Sequence, residues 1–491
     1  MSDPLRLFLI CAVGLASVTP VLADEPMPPA IDEAWVIGTL KAQNPSLQAA
    51  AIELAQAQEA TRLEEGKFPY VFQADASATR RKTPQLTSDA ALAGQGNNMV
   101  LGTQLSRTFT TGTIASLRLQ GQHSNGESAL CGLVSTSPDC YQASLRAAVT
   151  QPLLSGFGQN VNLANLRAAR ISEQKQHKTY DRRASELVRD ALLGYWELYY
   201  GSKAVEIQQA ALDLAKVQQS EADQRVAHGQ LAAADALKFR TQVATLTESL
   251  INAQAALSTS TTELARLVGT NAPLSPWRAN DHEPDQVGVP PIQVAIDKVR
   301  ERSPDLAEQT EGLRLARERR VTAGDEYRAR LDASTWIEAG GLSAGEVSPA
   351  FRQVGTMNTI SVYAGLTFQK SLDGRRLQAA RAQAAQSEAL AEATVAATKQ
   401  QLEATAIQAW QKAQQAHAIR DAASVTLEVT TQQAENERER FHVGANTALD
   451  VQVAEDALRQ ARLRVLRAAV DQVRARITLD HATGDLLAVK L

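Results

Sequence analysis

Two periodicities of apolar and polar residues take turns along this chain. From Asn160 to Ala227 no proline occurs, with only Gly194 and Gly201 as weak points, and Arg375 to Arg440 is a similar run. As helix the first would extend ~100 Å at 1.5 Å per residue. Each run stops at a short turn, His228-Gly229-Gln230 or Val443-Gly444-Ala445, after which a second helical pattern returns to Gly269 or Gly484, glycine being a stop signal at a helix end. Hairpins of this length cannot bury their apolar stripes in one small globule, so they are predicted to pack as coiled-coil-like layers. Between the helical runs the period drops to two. Tyr141, Ala143, Leu145, Ala147 and Val149 alternate with more polar residues, as do Leu331 to Ala339 and Ile360 to Phe368; successive side chains of a strand face opposite sides. Met99 to Phe109 and Thr113 to Gln122 alternate too, on either side of Thr111-Gly112. One apolar and one polar face suit a lipid-facing surface around a wet lumen, with Tyr141, Phe157, Tyr363 and Phe368 as candidate interfacial anchors. A soluble β-sandwich carries the same alternation.

The pattern occurs twice. Asn44-Pro45-Ser46-Leu47, a helix and Gly66-Lys67-Phe68-Pro69-Tyr70 are answered further on by Ser303-Pro304-Asp305-Leu306, a helix and Gly324-Asp325-Glu326-Tyr327. Tyr195-Trp196-Glu197 is answered by Ala409-Trp410-Gln411. Arg225, Gly229, Asp235, Leu264 and Gly269 then map onto Arg440, Gly444, Asp450, Leu479 and Gly484, all at one constant offset that is smaller than the offset between Asn44 and Ser303. The drop in offset places the extra length of the first half between Pro69 and Ala168.

Composition narrows the class. With 50 Lys plus Arg against 54 Asp plus Glu, net charge −4, the chain has no basic field for nucleic acid. Abundant Ala and only 4% aromatic residues favour closely packed helices over a thick globular core. Leu5 to Val18 has the length of a signal-peptide apolar segment and Val21-Leu22-Ala23 resembles its cleavage site, giving an export signal over 1–23. Cys11 lacks the preceding small residue of a lipid-attachment site. No later stretch has eighteen consecutive apolar residues. In an exported chain Cys131 and Cys140, nine apart, are predicted to form a local disulfide; His123 has no companions for a metal site. The seven histidines are scattered, without H-E-x-x-H, G-x-S-x-G or a phosphate-cradling loop, so neither an enzyme nor a cofactor is expected.

Taken in order, these features resemble the TolC-type outer membrane efflux proteins. The most specific parts are Asn44-Pro45-Ser46-Leu47, Gln151-Pro152-Leu153-Leu154-Ser155-Gly156, Tyr195-Trp196 and the tips Arg225 to Asp235 and Arg440 to Asp450. The resemblance implies a mainly α fold with transmembrane β: long helical hairpins forming a periplasmic tunnel, and four strands per subunit contributed to a trimeric outer-membrane barrel. It divides the mature chain into repeats 24–282 and 283–491, and the additional hairpin 99–122 departs from its pattern. It further implies a homotrimer set in outer-membrane lipid, working with a periplasmic adaptor and an inner-membrane pump as the passive exit duct of an efflux or secretion system. The competing reading is a soluble periplasmic coiled-coil adaptor. Cargo, whether drug, metal ion or polypeptide, is not encoded here.

By the same resemblance Arg225, Gly229, Arg440 and Gly444 would meet the adaptor, although glycine serves a tight turn regardless of partners. Asp450, and more weakly its counterpart Asp235, would line the tunnel entrance, where three copies form a ring of carboxylates. Thr447-Ala448-Leu449-Asp450 also has the spacing of a capping box, in which an acid stabilises a helix start without any part in transport. The second acid of some family members is Val453 here, and Asn446 stands where a basic gating partner can occur.

Overall fold

Proline at a first helical position, where its missing N–H costs nothing, starts the second helix of each half, at Pro45 and at Pro304. The computed structural model describes residues 30–86, 91–126, 139–229, 231–280 and 288–486. The export signal and Cys131 lie outside them. Helix α1 (Glu33–Gln43) ends at Asn44, whose side chain accepts from Leu47 N at 3.0 Å to start α2 (Pro45–Glu65) and donates to Leu267 O at 2.7 Å. Four strands follow, β1 (Tyr70–Leu86), β2 (Ala91–Thr108), β3 (Ile114–Gly126) and β4 (Asp139–Pro152). A short α3 (Gln159–Asn162) leads into α4 (Ala164–Ala227), of 64 residues, which returns as α5 (Ala233–Val268). The second half runs α6 (Ile292–Arg302), α7 (Pro304–Glu326), β5 (Arg330–Ala344), α8 (Ser348–Thr356), β6 (Ile360–Gln369), α9 (Arg375–His442) and α10 (Ala448–Ala482). Both long helices thus form where the proline-free runs predict them.

The repeat is physical as well as sequential. Leu264 and Leu479 are both buried, and the glycines that follow them, Gly269 and Gly484, press on the backbone of Gln43-Asn44 and of Arg302, which are themselves equivalent in the repeat. Trp196 Nε1 donates to Glu33 Oε1 at 2.8 Å, while its counterpart Trp410 donates to Pro290 O at 2.7 Å. Around Trp196 lies the largest core, with Val188, Leu192, Leu198, Leu264 and Val268. Each large aliphatic side chain there contributes about 1.5–3 kcal/mol by leaving water. Elsewhere the helices touch through alanine and smaller clusters such as Leu212, Leu246 and Leu250, and are tied by ion pairs such as Arg182 to Glu308 (3.0 Å), Arg320 to Glu388 (2.7 Å) and Arg474 to Glu197 (2.7 Å).

Near the sheet the helices follow one another as α2, α4, α7 and α9, and away from it as α5, α4, α10 and α9. The six strands form one antiparallel sheet in chain order. Here the implied four strands are corrected to six: residues 99–122 continue the alternation and register of their neighbours and join the sheet as β2 and β3. Register places Phe72, Leu105, Leu117, Ala147, Ile337 and Val362 on one face and Asp75, Gln104, Arg118, Arg146, Glu338 and Ser361 on the other. Of the candidate anchors, Tyr141 and Phe368 lie on the apolar face. Tyr363 does not; it stacks on Trp336 over the polar face, ring centroids 5.6 Å apart. Among the described residues no helix is long and apolar enough to cross a membrane.

Candidate functional site: polar sheet face and hairpin tips

Charged side chains on the polar face of the sheet pair with one another across strands. Arg118 of β3 reaches Asp75 of β1 at 3.0 Å and lies within 3.4 Å of Gln104. Arg146 of β4 bonds Glu338 of β5, its guanidinium 4.5 Å from the Trp336 ring centroid. This hydrogen-bonded band is half exposed and free of large aliphatic side chains, a surface suited to water and solutes. The opposite face carries rims. Arg107 lies over Tyr70 (4.5 Å) and Phe109 (5.1 Å) and donates to the Tyr70 hydroxyl at 2.9 Å; a cation with an apolar stem beside aromatic rings fits a membrane–water interface. Toward the opposite end of the strands, His123 stacks on Tyr141 at 4.5 Å. Sequence reading found Tyr141 but missed Tyr70, Arg107 and Phe109, because Arg107 breaks the apolar alternation. Beyond the end of β6, Gln353 of α8 replaces a strand: its amide exchanges hydrogen bonds of 3.0 and 3.1 Å with the backbone of Leu342 on β5.

The far ends of the hairpins bring together most of the predicted tip residues. Gly229 and Gly444 have φ of +72° and +74°, the left-handed region that glycine enters without a Cβ penalty. At the second tip, Gly444 N donates to Phe441 O (3.1 Å) and Ala445 N to Arg440 O (2.8 Å), closing the helix with a Schellman motif. Arg225 lies 5.2 Å from the Phe441 ring, and Phe441 is 6.4 Å from Phe239, so the two tips share one cluster. Phe441 answers Val226 in the repeat and Phe239 has no aromatic counterpart, so repetition gave no signal for either. Arg440 pairs with Glu437, one turn back, at 3.6 Å.

Asp450 completes the capping box. Its Oδ2 accepts from Thr447 N at 2.9 Å and Thr447 Oγ1 at 2.7 Å, and its own N–H donates to Thr447 Oγ1 at 3.4 Å. The Thr447 hydroxyl, then its N–H, hold this exposed carboxyl below its ordinary pKa. Asp235, also in a first helical turn, pairs with Lys238 at 3.0 Å. The Asn446 amide donates to Glu437 O at 3.0 Å. Cys140 is disulfide-bonded, and its expected partner Cys131 lies outside the described residues. Among the described residues no group of three His, Cys, Asp or Glu side chains could hold a metal ion.

Residues 295–485 match the model of the outer membrane efflux protein family. No curated protein matches the sequence. Among solved structures, the chain superposes on the CmeC outer membrane channel of Campylobacter jejuni with a TM-score of 0.66 at 13% identity, covering 99% of this chain and 93% of that one. For the outer membrane protein VceC of Vibrio cholerae the values are 0.64 and 16%, covering 92% and 96%. The open state of the MtrE outer membrane channel of Neisseria gonorrhoeae gives 0.64 and 14%, covering 92% and 88%. The resemblance read from the sequence therefore holds: the chain carries the outer membrane efflux protein domain over residues 295–485 and the fold of outer membrane channels over nearly its whole length.

Proposed function

We propose that this protein is the outer-membrane exit duct of a tripartite efflux or secretion system, a homotrimer that passively conducts solutes delivered by a periplasmic adaptor and an inner-membrane pump. One observation carries the reading: a sheet with one apolar and one hydrogen-bonded polar face ends in two free edges, β1 and β6. Lipid offers no hydrogen-bond partner to an open edge. The edges close on further copies of the chain, which turns the polar face into a lumen continuous with the helical tunnel. An export signal over 1–23 precedes repeats 24–282 and 283–491. The tip residues Arg225, Gly229, Arg440 and Gly444 form the adaptor contact, Asp450 and Asp235 lie at the entrance, and Cys131 bonds Cys140 near the outward ends of the strands. Native mass measurement of protein extracted from outer membranes is expected to give three chains, and peptide mapping a Cys131–Cys140 link. A stable monomer would overturn the duct.

A further inference from the structure

Four helices per subunit lead to or from the sheet, through the junctions α2 to β1, β4 to α4, α7 to β5 and β6 to α9. Strands β2 and β3 have no helix of their own; they turn back at Phe109–Thr113, on the tunnel side of the sheet. That turn is fastened to the β4–α4 junction. Gly158 N donates to Thr111 O at 3.1 Å, and the Thr113 hydroxyl bonds the Gln151 side chain. Gly112, at φ +86°, packs so closely that a Cβ would overlap the Gly156 carbonyl oxygen. On the sheet itself Leu101, Leu105, Leu117 and Leu119 extend the apolar face from β1 to β4 without interruption, while Gln104, Arg118 and Gln120 extend the polar one. The inserted hairpin is built as wall, with the same inside and outside as its neighbours.

Resting on the trimeric duct proposed above, we infer that three copies of this six-stranded sheet close an eighteen-stranded barrel, each subunit pairing its β6 edge with the β1 edge of the next. An even number of alternating strands makes every such junction antiparallel, as the rest of the sheet is. Width follows from the count. Strands ~4.8 Å apart and tilted ~40° give a backbone diameter of about 36 Å for eighteen strands, against about 24 Å for twelve. Four helices per subunit at 8–10 Å spacing span an arc of about 36 Å, close to the about 38 Å spanned by six tilted strands. Wall passes from strand to helix without a step in width.

Cysteine pairs in the full-length protein, oxidised in outer-membrane vesicles, test this. Ser116 and Ala148 are opposite each other on β3 and β4, whereas Ser77 and Gln142, on β1 and β4, are separated by the whole hairpin, three strand spacings of about 14 Å in all. A disulfide needs Cα atoms within about 7 Å, so S116C/A148C is expected to cross-link at least about tenfold more than S77C/Q142C. Native mass is measured on the same samples. A trimer in which S77C/Q142C cross-links, or S116C/A148C does not, overturns the eighteen-stranded wall and leaves the duct standing; a monomer overturns both.

Discussion

Single side chains set the charge at the hairpin tips and the way the helices answer to pH. The two sequence readings of Asp450, cap and pore acid, are compatible in the structure, because the Thr447 bonds that cap α10 also keep the carboxyl ionised below the usual carboxylate range. Asp450→Asn retains a side-chain acceptor for the cap and removes one negative charge per subunit. The cation preference of the channel in planar bilayers is expected to fall, with weaker block by multivalent cations from the periplasmic side; unchanged selectivity in a conducting variant would leave Asp450 with capping alone. His481 acts on stability. Burial, then the positive charge of Arg189, lowers its pKa to about 4, while its Nδ1 sits 2.8 Å from the Ser185 hydroxyl of α4. An unfolded chain takes this proton near pH 6.5 and the folded one near 4, so stability falls as pH drops across that window, by at most about 3 kcal/mol. His481→Gln should flatten the decline of the trimer's melting temperature between pH 7 and 4. Equal slopes would mean that the native fold accepts the proton. Sequence reading found Asp450 through the family resemblance, whereas the burial of His481 arises from α4, which belongs to the other half of the chain, and no local pattern announces it.

At the scale of elements, the long helices were the most legible part of the chain, since proline-free, alanine-rich runs leave the backbone no competing conformation. Their turns were legible for a related reason: a glycine that recurs at the same place in both repeats, Gly229 and Gly444, marks a backbone requirement. Gly444 makes this testable. Among the described residues, its chain neighbours aside, no atom lies within 4 Å of where its Cβ would stand, so Gly444→Val meets mainly the cost of left-handed φ, about 1–2 kcal/mol. The damage should stay in the Schellman turn. We expect the trimer to assemble with its barrel intact and efflux in whole cells to fall as adaptor docking weakens. Loss of assembly, or undiminished efflux, would remove this turn from the adaptor contact. The strands were less legible at their edges. Alternation revealed β4, β5 and β6 and hinted at β2 and β3, but which neighbour a strand pairs with depends on turn geometry and register. Hence the resemblance implied four strands where six are found, and Tyr363 was counted among lipid anchors although register turns it toward Trp336.

For the whole molecule, the direction in which the sheet faces determines whether it is a duct at all. The twofold repeat places the helices and half the strands, and it made the architecture readable from the sequence despite 13–16% identity to the three channels it superposes on. It could not say which face of the sheet meets lipid, because alternation alone suits a soluble sandwich equally well. Register settles which residues share a face, and a pair of substitutions at adjacent positions then separates the two environments. Ala147 of β4 lies between Leu117 and Ile337 on the apolar face, and Ala148 lies between Ser116 and Trp336 on the polar one. Arginine on the lipid face of a membrane barrel costs about 2–4 kcal/mol near the bilayer midplane, while lumen substitutions mainly tune selectivity. Ala147 stands one same-face step from the level of the Tyr70–Arg107 rim, where that cost falls to about 0–1 kcal/mol, so Ala147→Arg is expected to lower the amount of assembled trimer in the outer membrane by up to about fivefold. Ala148→Arg should assemble and move the ion preference toward anions, since it adds one positive charge per subunit beside Arg146. In a soluble sandwich Ala147→Arg would also harm folding, but Ala148→Arg would have no conductance to alter, so a selectivity shift in the second variant is the result that separates a channel from a sandwich. If the tolerances are reversed, the apolar face lines the lumen and the sheet has been placed inside out.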